Sequence, residues 1–304
     1  MLMRRRDFLA MAGVGLLTAC TSGTPARTIR IAAGEPGGFY TSFARLLAAE
    51  VSAATPGNRM EVLNTQGSVG NVELLRDGGT DLGMVLAGTA AAVQAGELGP
   101  PVELRALGRV YENYAQLVVR ADSPVRALDE LSGRTVSIGA PKSGTALFGR
   151  RLLAARPGVR TTALPLDEAI AALENGSIDA LLWSGGIPTP ALRALDDRIG
   201  IRLLPLEPEM AGCGPSCDQL QVPPGAYRRA AGVPTVGVAN ILACTPELPD
   251  DVAEAVVRVL VLRAPFLVPQ PTVGTQFLDV GNLIGTGKVP LHPGAQRAYR
   301  DLHG

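Results

Sequence analysis

The chain has 304 residues, a formal net charge of zero, 46% hydrophobic residues and only 4% aromatics. A balanced charge without a basic block excludes the basic face that a nucleic-acid binder presents. The length allows two ordinary domains, with cores built from Leu, Val, Ile and Ala rather than aromatic rings.

The N-terminus reads as a targeting segment. Arg4-Arg-Arg-Asp-Phe-Leu9 is a basic region of twin-arginine-like type, and Leu9 to Ala19 is an apolar run too short to span a bilayer. Leu17-Thr-Ala-Cys20 is similar to a lipobox, which predicts a signal peptide over 1–19, lipidation of Cys20 and a polar tether over 20–27. A generic signal peptide with a chance Cys is the alternative. No later stretch is long and apolar enough to cross a membrane. The mature chain is therefore expected outside the cytoplasm, anchored to the cell membrane as a lipoprotein, and periplasmic if the cell is Gram-negative. Such a compartment permits disulfides. Cys213-Gly-Pro-Ser-Cys217 is a candidate ring, with a metal site as the rival reading, and Cys244 reads as a buried thiol.

Next, strands alternate with helices. Ile29 to Ala33 is a predicted strand, Gly34-Glu-Pro-Gly-Gly38 a turn, and Phe39 to Ser52 a helix with Phe43, Leu46, Leu47 and Val51 on one face. Met60 to Asn64 is a strand, followed by the loop Gln66-Gly-Ser-Val-Gly-Asn71 and a helix from Val69 to Arg76 for which Ser68 is the expected N-cap. Leu82 to Leu86 reads as a strand, Ala90 to Gly96 as a helix, Leu104 to Val110 as a strand, and Ala115 to Arg120 as an extended segment. Leu128 to Gly133 is a small helix, Thr135 to Ile138 a strand, Gly139 to Gly144 a loop, and Gly144 to Ala155 a helix. A helix capped by Asp167 runs to Asn175, followed by the strand Ile178 to Trp183, a helix from Pro188 or Thr189, and the strand Ile201 to Leu204. The stretch 206–232 reads as loop, Val236 to Cys244 as a strand, and Asp250 to Leu262 and Gly294 to Leu302 as helices.

This order predicts an α/β fold with a mostly parallel sheet in two lobes, 28–115 plus 237–304 and 116–236. The crossings near 115–120 and 234–239 would form a hinge over a ligand cleft. Three strand–loop–helix units aim helix N-termini at loops, a geometry suited to a carboxylate or phosphate; ordinary turns are the plain alternative.

Gly38, Phe39, Tyr40, Ser68, Asn71, Ser143, Gly144, Thr145, Trp183 and Tyr227 are the candidate ligand residues. Ser143, Gly144 and Thr145 offer backbone N–H groups and hydroxyls. Tyr40 is a ring with an O–H for a ligand or a core aromatic, and Ser68 a ligand hydroxyl, a cap, or both. Trp183 packs on a ligand or serves the core or hinge. Lys142 adds a positive charge or sits solvated on a turn. Both histidines, His292 and His303, lie at the C-terminal end, and no hydrolase, zinc-protease, dinucleotide or phosphate-loop motif occurs. Catalysis, a cofactor and a metal are therefore not expected.

Several stretches together resemble the TAXI group of extracytoplasmic solute-binding proteins, which serve TRAP-type transporters. They are Gly34-Glu-Pro-Gly-Gly-Phe-Tyr40, Thr65 to Asn71, Leu117 to Ser123, Leu128 to Gly139 with Ser143-Gly-Thr145, Ile178-Asp-Ala180 with Gly186 and Pro188, Pro223-Pro-Gly-Ala-Tyr227, and Leu291-His-Pro-Gly-Ala295 with Tyr299. The resemblance implies a two-lobed periplasmic-binding-protein-like fold that closes on a small organic anion such as glutamate, glutamine or 2-oxoglutarate. It also implies a TRAP-type permease driven by an ion gradient. The chain departs from the pattern at Phe39, where a second Tyr is common, and at Glu35, which either favours a ligand with an amino group or faces solvent. Alternatives are the binding lipoprotein of an ATP-driven importer, or a sensing or enzymatic surface domain.

Overall fold

Two long strands carry the architecture. β4 (Arg105–Arg120) and β10 (Pro234–Cys244) lie side by side, antiparallel, in the middle of a ten-stranded mixed sheet ordered β2-β1-β3-β10-β4-β7-β5-β6. The computed structural model describes residues 27–55, 57–207, 217–271 and 278–303. The expected signal peptide 1–19, Cys20 with its tether up to residue 26, and Cys213 lie outside the described residues.

On one side of β4 lie β1 (Arg27–Ala32), β2 (Asn58–Leu63) and β3 (Leu82–Leu86), mutually parallel, with β10 antiparallel to β3. Helices α1 (Phe39–Ala54), α2 (Ser68–Arg76) and α3 (Ala87–Gln94) connect these strands. The chain returns to the same half through α7 (Asp250–Leu262), the short α8 (Val280–Leu283) and α9 (Pro293–His303). On the other side β7 (Ala180–Gly185) pairs antiparallel with β4 and parallel with β5 (Thr135–Ser137), and β6 (Arg160–Thr162) pairs parallel with β5. Helices α4 (Gly144–Leu153), α5 (Leu166–Glu174) and α6 (Pro190–Ile199) cover this half. β8 (Ile201–Leu204) pairs with the C-terminal end of β4, and β9 (Cys217–Gln221) with the start of β10.

Side-chain alternation along the strands sorts the apolar residues into four clusters, one on each face of each half. In β4, Ala115, Leu117 and Val119 enter one cluster of the second half while Tyr114 and Val118 enter the other. In β3, Met84 and Val85 divide in the same way between the clusters of the first half. The fold is thus two-lobed, and β4 and β10 belong to both lobes.

At the hinge, Arg109 reaches Asp218 at 2.9 Å and Glu112 at 3.5 Å. Glu112 is only 3% exposed, against Gly237 of β10, where an added Cβ would lie 2.6 Å from its carboxyl. Burial, then the bond and charge of Asp218, push the Glu112 carboxyl up to about 8, against the opposing effect of Arg109.

Most predicted elements are present, with instructive exceptions. The expected strand 104–110 and the extended 115–120 are one 16-residue strand, because polar Glu112, Asn113 and Gln116 are buried between the lobes rather than turned to solvent. α3 starts at Ala87, three residues before the expected Ala90, directly from β3. β6 and β9 were not predicted. Both are short and half-exposed, so they lack an apolar pattern. Cys217 is disulfide-bonded, with its partner outside the described residues, and Cys244 is free and buried, its thiol pushed up to about 12 by burial.

Candidate functional site

The site is a cleft where the helix-opening loops of the two lobes meet over the hinge strands. The space between atoms there, its open mouth included, is about 410 Å³. The first lobe contributes Gly34, Glu35, Gly38, Phe39 and Tyr40 from the β1–α1 turn, Gln66 to Ser68 from the α2 loop, and Leu86. The second contributes Ser143 to Thr145 and Trp183 to Gly185, and the hinge contributes Asn113.

The N-termini of α2 and α4, one from each lobe, converge here. Gly67 is the N-cap of α2 with φ of +114°, a backbone conformation that suits only glycine. Ser68 is therefore the first helical residue and not the expected cap. Its Oγ instead accepts the Leu86 N–H at 3.1 Å and lies 3.2 Å from the Tyr40 hydroxyl. Ser143 does cap α4, accepting the Ala146 N–H at 2.9 Å, which leaves its own O–H to donate. The next two amides, of Gly144 and Thr145, have no acceptor among the described residues, as the first turn of a helix requires. Gly144 sits so close to the first lobe that an added Cβ would lie 2.6 Å from Leu86 and 2.8 Å from Ser68.

The lobes are in contact around this cleft. The Gly70 N–H donates to the Lys142 carbonyl at 3.0 Å, and the Lys142 N–H to Gln66 at 3.0 Å. Lys142 Nζ pairs with Glu73 at 2.7 Å, and Arg151 with Glu97 at 2.7 Å. Lys142 is thus an interlobe residue outside the cleft wall. Glu35 neither simply faces solvent nor is free. Its carboxylate accepts the Leu166 N–H of α5 at 2.7 Å, the role expected of Asp167, which lies instead in the first turn behind an N-cap Pro165. Burial raises the Glu35 pKa, with smaller contributions from Asp167 and Glu168, against the lowering effect of the Leu166 bond.

The apolar wall is locked from behind. Phe39 lies against Gly186 and packs edge-on to Tyr111 at 4.6 Å between centroids. Trp183 donates its indole N–H to Thr189 at 3.0 Å, which leaves only ring surface for the cleft. Tyr227 and Asn71 do not line the cleft. Tyr227 accepts the Thr189 N–H at 2.9 Å and donates to Gln116, supporting Trp183 through Thr189. Asn71 donates at 2.7 Å to the carbonyls of both Ala33 and Met84 and accepts from Thr65 at 2.6 Å, tying α2 to β1 and β3. The other eight candidates, Gly38, Phe39, Tyr40, Ser68, Ser143, Gly144, Thr145 and Trp183, are gathered on the wall. Asn113 and Ser184 escaped sequence reasoning, although polar residues within otherwise apolar strands were the available signal.

The lining offers many donors and no Lys, Arg, His or Cys. It can hold a ligand, and it has no paired base and nucleophile. Among the described residues no group of three or more His, Cys, Asp or Glu side chains could hold a metal, and no helix is long and apolar enough to cross a membrane.

Comparison with solved structures places the fold. The substrate binding protein of an amino acid ABC transporter aligns with a TM-score of 0.53 at 14% identity, covering 79% of this chain and 96% of that one. An ancestral arginine-binding protein bound to arginine aligns with a TM-score of 0.50 at 16% identity, covering 80% of this chain and 96% of that one. A sequence model of the NMT1-like family matches residues 31–302. With that match over nearly all of the described chain, the protein belongs to the NMT1-like family, and its two-lobed fold is that of the periplasmic binding proteins.

Proposed function

We propose that the protein captures a small organic acid, glutamate-, glutamine- or 2-oxoglutarate-like, between its lobes and delivers it to a TRAP-type permease, as the TAXI resemblance implies. The observation that carries this reading is the convergence of the α2 and α4 N-termini, with free amides at Gly144 and Thr145, on a cleft between lobes. Unpaired amides and helix dipoles favour a carboxylate there. Gly38, Phe39, Tyr40, Ser68 and Trp183 frame the rest of the ligand, while Asn71 and Tyr227 hold the frame. We assign lobe one to 28–115 plus 237–304 and lobe two to 116–236, Cys20 to a lipid anchor that holds the chain to the cell membrane outside the cytoplasm, and Cys213 as the disulfide partner of Cys217.

Calorimetric titration with glutamate, glutamine, 2-oxoglutarate and C4-dicarboxylates tests this reading. Saturable binding, lost when Ser143 and Thr145 become Ala, supports the cleft; silence from a folded protein overturns it. A second reading, delivery to an ATP-driven permease, draws on the fold shared with an amino acid ABC transporter's binding protein. Reconstitution with an ion-driven or an ATP-driven permease separates the two.

A further inference from the structure

The floor of the cleft holds an acceptor with nothing to accept. Asn113 is 2% exposed, and its Nδ2 donates to the Ser184 carbonyl at 3.2 Å and to the Ser184 hydroxyl at 3.3 Å. A carbonyl only accepts, so this bond fixes which end of the amide is which. Oδ1 is then buried without a hydrogen-bond partner. A buried acceptor left unmade is costly, and Asn113 is the one residue of the cleft lining, among the described residues, that carries such an atom.

The charge of the wall points the same way. Glu35 is its one ionisable carboxylate, and no basic side chain lines the cleft. The nearest Lys, Lys142, spends its ammonium on Glu73 at 2.7 Å. The donors of Ser143, Gly144 and Thr145 suffice for one carboxylate. A second carboxylate on the ligand would add a negative charge to a wall that already carries Glu35 and has no basic side chain to pair with it.

Building on the solute-binding reading, we infer that the ligand is a zwitterionic α-amino acid with an uncharged side chain, and that Asn113 is the specificity-determining residue that accepts a hydrogen bond from its ammonium group. The carboxylate lies at the helix N-termini, the ammonium faces Asn113 Oδ1, and the side chain lies against Trp183. A diacid without an amine leaves Asn113 unpaired and adds an uncompensated charge.

The experiment is calorimetry on the full-length protein with matched pairs: alanine against lactate, leucine against 2-hydroxyisocaproate, and glutamine against glutamate and 2-oxoglutarate. One amino acid should bind at least tenfold tighter than its deaminated partner, with no diacid competing. In Asn113→Leu, the amino acid should lose at least tenfold and its hydroxy-acid partner much less. Tight binding of 2-oxoglutarate or of a hydroxy acid, equal to or above the amino acid, overturns this inference and leaves the solute-binding reading standing. Equal losses for both partners in Asn113→Leu reduce Asn113 to a structural role and also overturn it. The wild-type comparison decides even if the variant does not fold, and silence across the whole panel from folded wild-type protein removes the cleft reading and this inference with it.

Discussion

The carboxylate of Glu35, in the turn after β1, accepts the backbone N–H of Leu166 at the start of α5, at 2.7 Å across the mouth of the cleft. A residue from one lobe thereby caps a helix of the other, an arrangement that exists only while the lobes are together. Glu35→Ala removes the acceptor, whereas Glu35→Gln keeps one. A net hydrogen bond of this kind is worth about 0.5–1.5 kcal/mol, so the Ala variant should bind ligand roughly 2–10-fold more weakly. The Gln variant should stay close to wild type. Parallel titrations of the two variants check this, and equal losses would remove the capping role.

Gly144 is a tight point of contact between the lobes. A methyl group there would fall 2.6 Å from Leu86 and 2.8 Å from Ser68, well inside van der Waals contact. Overpacking of this kind costs about 1–3 kcal/mol, which in Gly144→Ala should be read mainly as lost closure. Ligand affinity is expected to fall roughly 5–150-fold, and Leu86→Ala in the same chain should restore part of it. Small-angle scattering should report a more open average shape for the single variant.

Glu112 sets a pH dependence at the hinge. Its carboxyl is raised to about 8 in the folded chain from an ordinary value near 4.5. Between those values the unfolded chain has released this proton and the folded chain has kept it. Stability should therefore fall as pH rises through that window and level off above about 8. Glu112→Gln abolishes this contribution, so melting temperatures across pH 5–9 should fall less steeply in the variant than in wild type. Parallel curves for the two proteins would count against the raised value.

Trp183 is the one tryptophan of the chain, and it lies on the cleft wall. Ligand entry changes the polarity over its ring, so a saturable change in tryptophan emission should follow binding. Thr189→Val removes the indole acceptor at 3.0 Å and should broaden or shift the unliganded emission. A flat titration in the presence of calorimetric heat would place the ligand elsewhere.

Strand–helix alternation was legible because it is local: Leu82 to Leu86 and Asp250 to Leu262 have the predicted bounds. The loops Gly34–Gly38 and Gly139–Gly144 were legible because glycines and hydroxyls mark helix starts. What sequence could not carry is long-range. Nothing near Leu166 announces that its cap comes from Glu35, 131 residues earlier in the chain. Asn71 and Tyr227 looked like ligand residues by type, but their partners Met84, Ala33 and Thr189 turn them inward. Asn113 was hidden for the opposite reason: inside an apolar strand it reads as an exception until β7 brings Ser184 against it.

One core cluster of the first lobe joins Ile29, Phe43 and Tyr111 to Leu242, Val256 and Tyr299. Its residues come from both ends of the chain, whereas the second lobe is nearly contiguous in sequence. During synthesis the ribosome releases β1 to α3 long before the strand and helices they must pack against. The second lobe can gather its sheet first, and the opening segment stays unfinished until the last helix has emerged.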